Sequence, residues 1–274
     1  MIVDSHTHAA PDKIARAVEE ASQSILQAGG VRLHDSMTVG ALVAALRRHG
    51  IDRAVVFCVA EKPSVVTKAN DFLFGVVAEH PFLAACCTLH PESEDAEREI
   101  ARIRRLGGVG IKFHPVFQGF LADEPRMLRI YELMGADLVA YFHCGHDPSR
   151  PGQESGVTPA RLARIRELFP RLKIVAAHLG GYGMAQEVRR FLVGRDFFFD
   201  TSWVPSVADL DPREVVALVR DHGANRVLFG SDFPWTDLTA QLQWVRGLPL
   251  TEEERGLVLG GNAIGLFWGR SGAA

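Results

Sequence analysis

The sequence predicts a single α/β domain over residues 1–274, a (β/α)8 barrel with an insertion after its first strand. Eight short runs rich in Val, Ile, Phe or Ala recur along the chain, and most are continuous, as in strands buried on both faces of a parallel sheet. Helical patterns separate these runs at roughly 25–35-residue spacing, which is typical of alternating strands and helices. The length also fits one barrel, because such barrels use about 250 residues. An open doubly wound sheet is the alternative, since periodicity cannot reveal closure.

The predicted strands are residues 2–8, 54–60, 83–90, 109–114, 138–145, 173–180, 197–203 and 226–232. Apolar residues at helical spacing predict helices over residues 95–106, Pro159–Leu168, 183–193 and Pro212–His222. Near the C-terminus, residues 250–259 have a helical pattern that we expect Gly260 and Gly261 to end, before residues 262–268.

Two segments depart from the regular spacing. Residues 11–37 lie in the long gap between the first two strands, where a weak helical pattern precedes a Gly29-Gly30 break. This insertion is either a lid over the barrel mouth or a surface decoration. Residues 145–157 are rich in Gly, Pro and Ser and predict an irregular loop that faces solvent.

Composition restricts the class of protein. Hydrophobic residues make up 47% of the chain and charged residues 23%, an ordinary balance for a globular domain. The net charge of −3, without a dense Lys/Arg tract, argues against a nucleic-acid partner, and no apolar run is long enough to span a membrane. All the cysteines lie in apolar runs, which predicts reduced thiols: Cys58, Cys86, Cys87 and Cys144. We therefore expect a cytoplasmic enzyme acting on a small molecule, and a homo-oligomer remains open.

Polar residues collect at the ends of the predicted strands, where barrels of this kind carry their chemistry. Seven of the eight apolar runs end in an ionisable residue, and five of those ends carry histidine. On the first strand His6 and His8 are two residues apart and share one face, as neutral imidazoles that bind a divalent metal would. Core histidines satisfied by hydrogen bonds are the alternative. The convergence of so many strand ends predicts a metal site.

Six short motifs follow one another along the chain: DSHTH, GIKFHP, FHCG, AAHLGG, GSDFPW and GNAIGLF. They resemble the amidohydrolase superfamily and, within it, the amidohydrolase 2 branch, which also contains aminocarboxymuconate-semialdehyde decarboxylase. The resemblance implies that His6, His8, His143 and Asp232 bind a divalent cation, usually zinc, with manganese also compatible. It matches His178 to a histidine that hydrogen-bonds the metal-bound water in one-metal members and binds a second metal in others. One or two ions per chain are therefore expected.

Asp232 and His178 are the predicted catalytic residues. Asp232 can accept a proton and pass it to a leaving group, and His178 can orient the nucleophile or polarise the substrate. Lys112 lies where some superfamily members carry a carboxylated lysine between two metals, but it can equally bind substrate or pair with Asp232. His114 either lines the mouth or only terminates its strand. Asp4 either supports a metal ligand or caps the strand, and Asp200 is interpreted as structural.

Two reactions fit this set of residues. The first is hydrolysis of an amide, lactone or ester-like bond, in which the metal lowers the pKa of bound water to roughly 7. The second is a nonoxidative decarboxylation, in which protonation at carbon releases CO2. The lysine of GIKFHP favours the hydrolase, because decarboxylases of the branch usually lack it. A metal-binding protein without turnover is a third alternative, which the intact ligand set disfavours.

Overall fold

The computed structural model describes residues 1–25, 31–203 and 206–269, with the backbone alone for residues 23–25. The strands are β1 Val3–His8, β2 Arg53–Phe57, β3 Leu83–Thr88, β4 Gly110–Phe113, β5 Val139–Phe142, β6 Lys173–Ala176, β7 Phe198–Asp200 and β8 Val227–Leu228. Each strand pairs in parallel with the next in sequence, from β1 through to β8.

Hydrogen bonds between β1 and the segment that follows β8 join the two ends of the sheet. Ser5 N donates to Phe229 O over 2.8 Å, and His8 N donates to Phe233 O over the same distance. Asp232 N donates to His6 O over 2.9 Å. These bonds confirm the predicted (β/α)8 barrel and exclude the open sheet.

The helices are α1 Asp12–Ile25, α2 Val39–Arg48, α3 Val66–Glu79, α4 Ala96–Arg105, α5 Pro115–Gln118, α6 Pro125–Met134, α7 Pro159–Leu168, α8 Ala185–Phe191, α9 Pro212–His222, α10 Leu238–Gly247 and α11 Glu252–Gly256. Two of them, α7 and α9, have the bounds that the sequence predicts. Both begin with proline, whose missing N–H would be unpaired in a first turn anyway. The cap before each proline is polar and accepts a backbone hydrogen bond from the second residue after it or the third.

The prediction that Gly260 and Gly261 end a helix is wrong. Wider π-helical turns over Leu257–Gly261 and Ile264–Trp268 continue the helix that α11 begins. A Cβ added at Gly260 would lie 2.7 Å from Met1 O, so the glycine permits the helix to pass close to the start of β1. Asn262 Nδ2 then donates to the carbonyls of Ala224 and Val227, over 2.7 Å each. These residues serve packing and not termination.

The strands are shorter than the apolar runs that predict them, and this positions the polar residues. β8 ends at Leu228 and β6 at Ala176, so Asp232 and His178 lie in the turns that follow. Both have left-handed backbone, with φ of 62° and 59°. Such φ values are uncommon outside glycine and are characteristic of functional turns.

The structure also tests the predictions about the cysteines, membrane spans and the segment after β1. All four cysteines are free, as predicted, with Cys58 half-buried and the others buried. Within the described ranges, no helix combines the length and the apolarity that crossing a membrane would require. The predicted Gly29-Gly30 break lies outside the described residues, whereas the helical pattern before it forms α1.

Candidate active site

A cavity of about 290 Å³ opens at the C-terminal ends of the strands. All seven predicted site residues line it: His6, His8, Lys112, His114, His143, His178 and Asp232. Every one of these side chains is buried or nearly so. The barrel thus brings residues from five strand ends into one chamber, which is the usual arrangement for this architecture.

Three of the predicted metal ligands meet at one point, and we call them the β1/β8 cluster: His6, His8 and Asp232. His6 Nε2 lies 3.3 Å and His8 Nε2 3.2 Å from Asp232 Oδ1. The three donor atoms lie within 4.8 Å of one another. Burial alone would raise the pKa of Asp232. The neighbouring His6, His8 and His178 outweigh burial and hold this pKa well below its usual range. The cluster therefore presents an anionic carboxylate beside two imidazoles.

Asp200 lies behind this cluster and fixes His6. Asp200 Oδ2 accepts a hydrogen bond from His6 Nδ1 over 2.7 Å and another from the Tyr141 hydroxyl over 2.5 Å. Burial opposes ionisation of this carboxyl, but the charge and hydrogen bond of His6 outweigh it and lower the pKa of Asp200. Since the ionised carboxylate can only accept, the proton stays on Nδ1 and the lone pair of Nε2 faces the cavity.

The remaining predicted ligand, His143, lies in a second group that we call the β4/β5 cluster: His114, His143 and Asp147. The rings of His114 and His143 stack with 4.2 Å between their centroids. His114 Nε2 is 3.9 Å from Asp147 Oδ2, and the buried His114 Nδ1 has no hydrogen-bond partner. Burial lowers the pKa of His143 to about 3, so this cluster presents neutral imidazoles.

His178 connects the two clusters. Its Nε2 lies 2.9 Å from His143 Nδ1, and its Nδ1 lies 2.9 Å from the hydroxyl of Ser202. The backbone N–H of His178 donates to Asp200 Oδ1 over 2.9 Å, so the same carboxylate orients both His6 and His178. Burial lowers the pKa of His178 to about 4.

Lys112 is fully buried and reaches the β1/β8 cluster. Its Nζ lies 3.0 Å from His6 Nε2 and within 5 Å of the ring centroids of Phe57 and Tyr141. Burial lowers the pKa of Lys112 to about 8, which leaves the amine mainly charged at neutral pH. It donates to the imidazole lone pair that also faces Asp232. Lys112 is thus a cationic group at the point where the cluster converges.

The set of donors in the β1/β8 cluster fits a divalent cation. Two imidazole nitrogens with a carboxylate are ordinary ligands for zinc and also for manganese. The Nδ1–H of His6 is held by a carboxylate, which is the support that metal-binding histidines usually have.

Sequence reasoning missed three residues of this site: Tyr141, Asp147 and Ser202. Tyr141 reads as a strand hydrophobe, and Ser202 carries no motif of its own. Asp147 directly follows His146 in the irregular loop, which is the one signal that would have singled it out. Asp200 was expected to be structural, and the structure places it against His6.

Several weaker predictions also find their place. Asp4 is buried and accepts hydrogen bonds from the backbone of His6 and of Ser231, so it braces the closure of the barrel. His90 lies outside the cavity lining, and its Nδ1 accepts from Glu92 N over 3.2 Å. His90 therefore follows its strand without contributing to the cavity.

The upper wall of the cavity is apolar. Ile14, Val18 and Ala21 of α1 line it, together with Trp235 from the loop after β8. The insertion after β1 therefore contributes to the wall of the cavity.

Comparisons with known proteins give the family. The amidohydrolase family model matches residues 3–268, so the chain belongs to that family. A gamma-resorcylate decarboxylase from Polaromonas sp. (strain JS666 / ATCC BAA-500) is 23% identical over 291 residues, with 86% of each chain covered.

Solved structures agree on the fold. The 5-carboxyvanillate decarboxylase from Sphingomonas paucimobilis has a TM-score of 0.74 at 20% identity, and the match covers 97% of this chain and 98% of that one. A dihydroxybenzoic acid decarboxylase from Polaromonas sp. JS666, with bound manganese and the inhibitor 2-nitroresorcinol, has a TM-score of 0.73 at 19% identity. That match covers 99% of this chain and 98% of the other.

The prediction of a hydrolase is wrong: these relatives are decarboxylases, and they match the alternative reaction. The physical reason is that imidazoles and a carboxylate around a cation serve water attack and protonation at carbon equally well. Lys112 is compatible with both reactions and does not discriminate between them. A divalent metal is supported, but zinc is not, since the dihydroxybenzoic acid decarboxylase structure holds manganese.

Proposed function

We propose that this protein is a metal-dependent nonoxidative decarboxylase that converts a hydroxylated aromatic carboxylate into a phenol and CO2. The observation that carries the proposal is the convergence of His6, His8 and Asp232 on one point of a buried cavity. The related decarboxylases, which cover almost the whole chain, supply the reaction class. At about 290 Å³ the cavity lies at the small end of ligand pockets, and a single-ring substrate suits it.

His6, His8 and Asp232 would hold the divalent cation, with His143 as the further ligand that the family pattern implies. A bound cation would act as a Lewis acid that neutralises the anionic substrate and draws electron density from it. Asp200 fixes the proton on His6 Nδ1 and so leaves the lone pair on Nε2, where a bound cation would replace the Lys112 ammonium.

Asp232 carries the proton in this proposal. The overall reaction replaces the carboxylate of the ring with hydrogen, so one proton must reach the ring carbon before CO2 leaves. Asp232 is ionised at rest, because its neighbours depress its pKa. It can therefore accept the proton of the substrate hydroxyl and then deliver it to the adjacent ring carbon, after which the phenolate oxygen of the product takes a proton from water. The two electrons of the broken C–C bond remain with the ring, which becomes aromatic again.

Lys112 and the buried histidines bind and orient the substrate. The ammonium of Lys112, buried beside Phe57 and Tyr141, offers a counter-charge to the carboxylate before it departs. His114 lines the cavity, where its neutral ring, stacked on that of His143, can pack against the ring of the substrate. Hydrogen bonds with Ser202 and Asp200 hold His178 in place, and His178 lines the cavity between the two clusters.

The test is CO2 release from hydroxybenzoates by the manganese-loaded protein, with the phenol product identified by mass spectrometry. We expect turnover of a compound with a hydroxyl next to the carboxylate, and none of the same ring with that hydroxyl methylated. Reaction in D2O should place one deuterium at the carbon that lost the carboxylate. Absence of CO2 from every such compound, with the cation bound, would overturn the proposal.

A further inference from the structure

One face of α1 lines the cavity, and that face is apolar. Ile14, Val18 and Ala21 occur at the i, i+4 and i+7 positions that bring helical side chains onto one stripe. Ser22 extends the stripe without a charge. Among the described residues that line the cavity, α1 contributes no ionisable group, although the helix carries several on its other faces.

Ile14 is a large apolar side chain that remains 52% exposed while it lines the cavity. Among the described residues, Ile14 is not part of the main barrel core. Its helix packs instead through a small satellite cluster in which Ala10, Ala15 and Met37 are buried, and Val18 and Trp235 pack against them. Exposed apolar surface at the mouth of a ligand cavity is surface that a ligand can cover.

Charged groups enter the cavity from other segments. Glu61 follows β2, and Arg150 lies in the loop after β5. Arg150 is exposed, and a guanidinium there could attract a second carboxylate on the substrate. The cavity thus offers two recognition surfaces of different chemistry, and the apolar one is built from more residues.

We propose that α1 makes the enzyme selective for rings that carry an apolar substituent, such as an alkyl chain, over rings that carry a second carboxylate. This inference rests on the proposed function and adds the substrate class to it. The substituent packs against Ile14, Val18 and Ala21, where burial of each methylene is favourable and burial of a charge is costly.

The experiment measures binding of phenols, the product class, to the manganese-loaded full chain by titration calorimetry. The ligands are phenol and its methyl, ethyl and propyl derivatives at ring positions 3 and 4. A second measurement compares KM for 2-hydroxybenzoates that carry either an alkyl group or a second carboxylate at the same position relative to the hydroxyl. In one of the two alkyl series we expect each methylene to tighten binding by about fourfold. The 2-hydroxybenzoates with a second carboxylate should have a higher KM than those with the alkyl group.

Ile14→Asp should flatten the alkyl series and weaken the propyl phenol by about tenfold or more, because a carboxylate then faces the chain. The matched control is Ala17→Asp, which adds the same charge to an exposed position of α1 outside the cavity lining. The control should keep the slope of the series. Since Ile14 is half exposed, its replacement leaves the core intact.

A flat alkyl series in the unaltered protein, or a lower KM for the 2-hydroxybenzoates with a second carboxylate, would overturn the inference even if CO2 is released from hydroxybenzoates. Failure of every phenol to bind would overturn it as well. An alkyl slope that Ile14→Asp abolishes, without CO2 release from any hydroxybenzoate, would instead support the apolar wall and reject the proposed reaction.

Discussion

The two clusters at the barrel mouth contain the same residue types, two histidines and one aspartate, yet they are built differently. In the β1/β8 cluster both imidazole Nε2 atoms lie within 3.3 Å of one carboxylate oxygen, and Asp200 anchors His6 from behind. In the β4/β5 cluster the two rings stack in near-parallel planes, and the nearest carboxylate contact is 3.9 Å. The first cluster focuses its donors on a point, whereas the second presents flat, neutral faces to the cavity.

The difference shows that a carboxylate hydrogen-bonded to a histidine determines which ring nitrogen carries the lone pair. Asp200 gives His6 a defined tautomer and a defined direction. His114 has an unpartnered Nδ1 and keeps both choices of proton position. We therefore assign cation binding to the first cluster with His143 as a further ligand, proton transfer to Asp232, and substrate contact to His114 of the second cluster. Three predictions test that division, and a fourth gives a reference histidine outside both clusters.

The largest expected effect comes from the carboxylate at the centre of the β1/β8 cluster. Asp232→Asn removes the proton carrier and the only anionic donor of that cluster, so kcat for CO2 release should fall by about 10³-fold. Near-ultraviolet circular dichroism should be unchanged, because the amide fits the same space. Retention of a tenth of the activity would refute the assignment of proton transfer to Asp232.

The anchor of His6 should matter next. Asp200→Asn should weaken manganese binding by roughly 10–100-fold, since the amide no longer fixes the proton on Nδ1. Electron paramagnetic resonance of free Mn²⁺ during titration measures the affinity. Asp196→Asn is the control, because Asp196 lies just before β7, at the end remote from the site, and its side chain is 72% exposed. Equal affinities for the two variants would show that the anchor is dispensable.

A histidine of the second cluster should have a smaller and different effect. We expect His114→Asn to raise KM by about tenfold, with manganese affinity unchanged, because it contacts substrate and not the cation. His90→Asn offers a matched control, since His90 also ends a strand before a proline but lies outside the cavity lining. Loss of manganese binding in His114→Asn would show that His114 binds the cation, and would contradict its assignment to substrate contact.

The smallest effect concerns an imidazole buried away from both clusters. His222 lies at the end of α9, donates to Phe197 O over 2.8 Å, and stacks on Phe199. Burial lowers its pKa to about 4 from the ordinary 6.5. Below pH 6.5 His222 is protonated in the unfolded chain, whereas in the folded chain it stays neutral until about pH 4. The free energy of unfolding therefore decreases as pH falls across this window.

Urea titrations at pH 7 and pH 5 measure this contribution. His222→Gln should reduce the loss of unfolding free energy between the two pH values by roughly 2 kcal/mol. An unchanged pH dependence would mean that the clusters at the mouth account for all of it. His222 thus gives the reference for what burial of a histidine costs when no cation site is involved.

Much of the fold is accessible from sequence because its signals are local. Continuous apolar runs mark strands buried on both faces, and the prolines of α7 and α9 mark helix starts at the predicted residues. The error at Gly260 has a nonlocal cause, because a glycine that lets a helix approach Met1 looks in sequence like one that ends a helix.

The residues of the site can be predicted from the sequence, but the reaction cannot. The sequence alone identifies His6, His8, His143, His178 and Asp232 as polar residues at strand ends, because burying such groups on apolar strands is costly without a purpose. It does not determine the reaction, since the same donors serve a hydrolase and a decarboxylase.

Only the tertiary structure decides which of these residues meet. Closure of the barrel brings Asp232 to His6, 226 residues earlier in the chain, while the stagger of the strands leaves His143 beside His114. It also sets Asp200 behind His6 and lays α1 across the cavity. Such contacts depend on how eight strands close around a common axis, and no local pattern in the sequence carries that information.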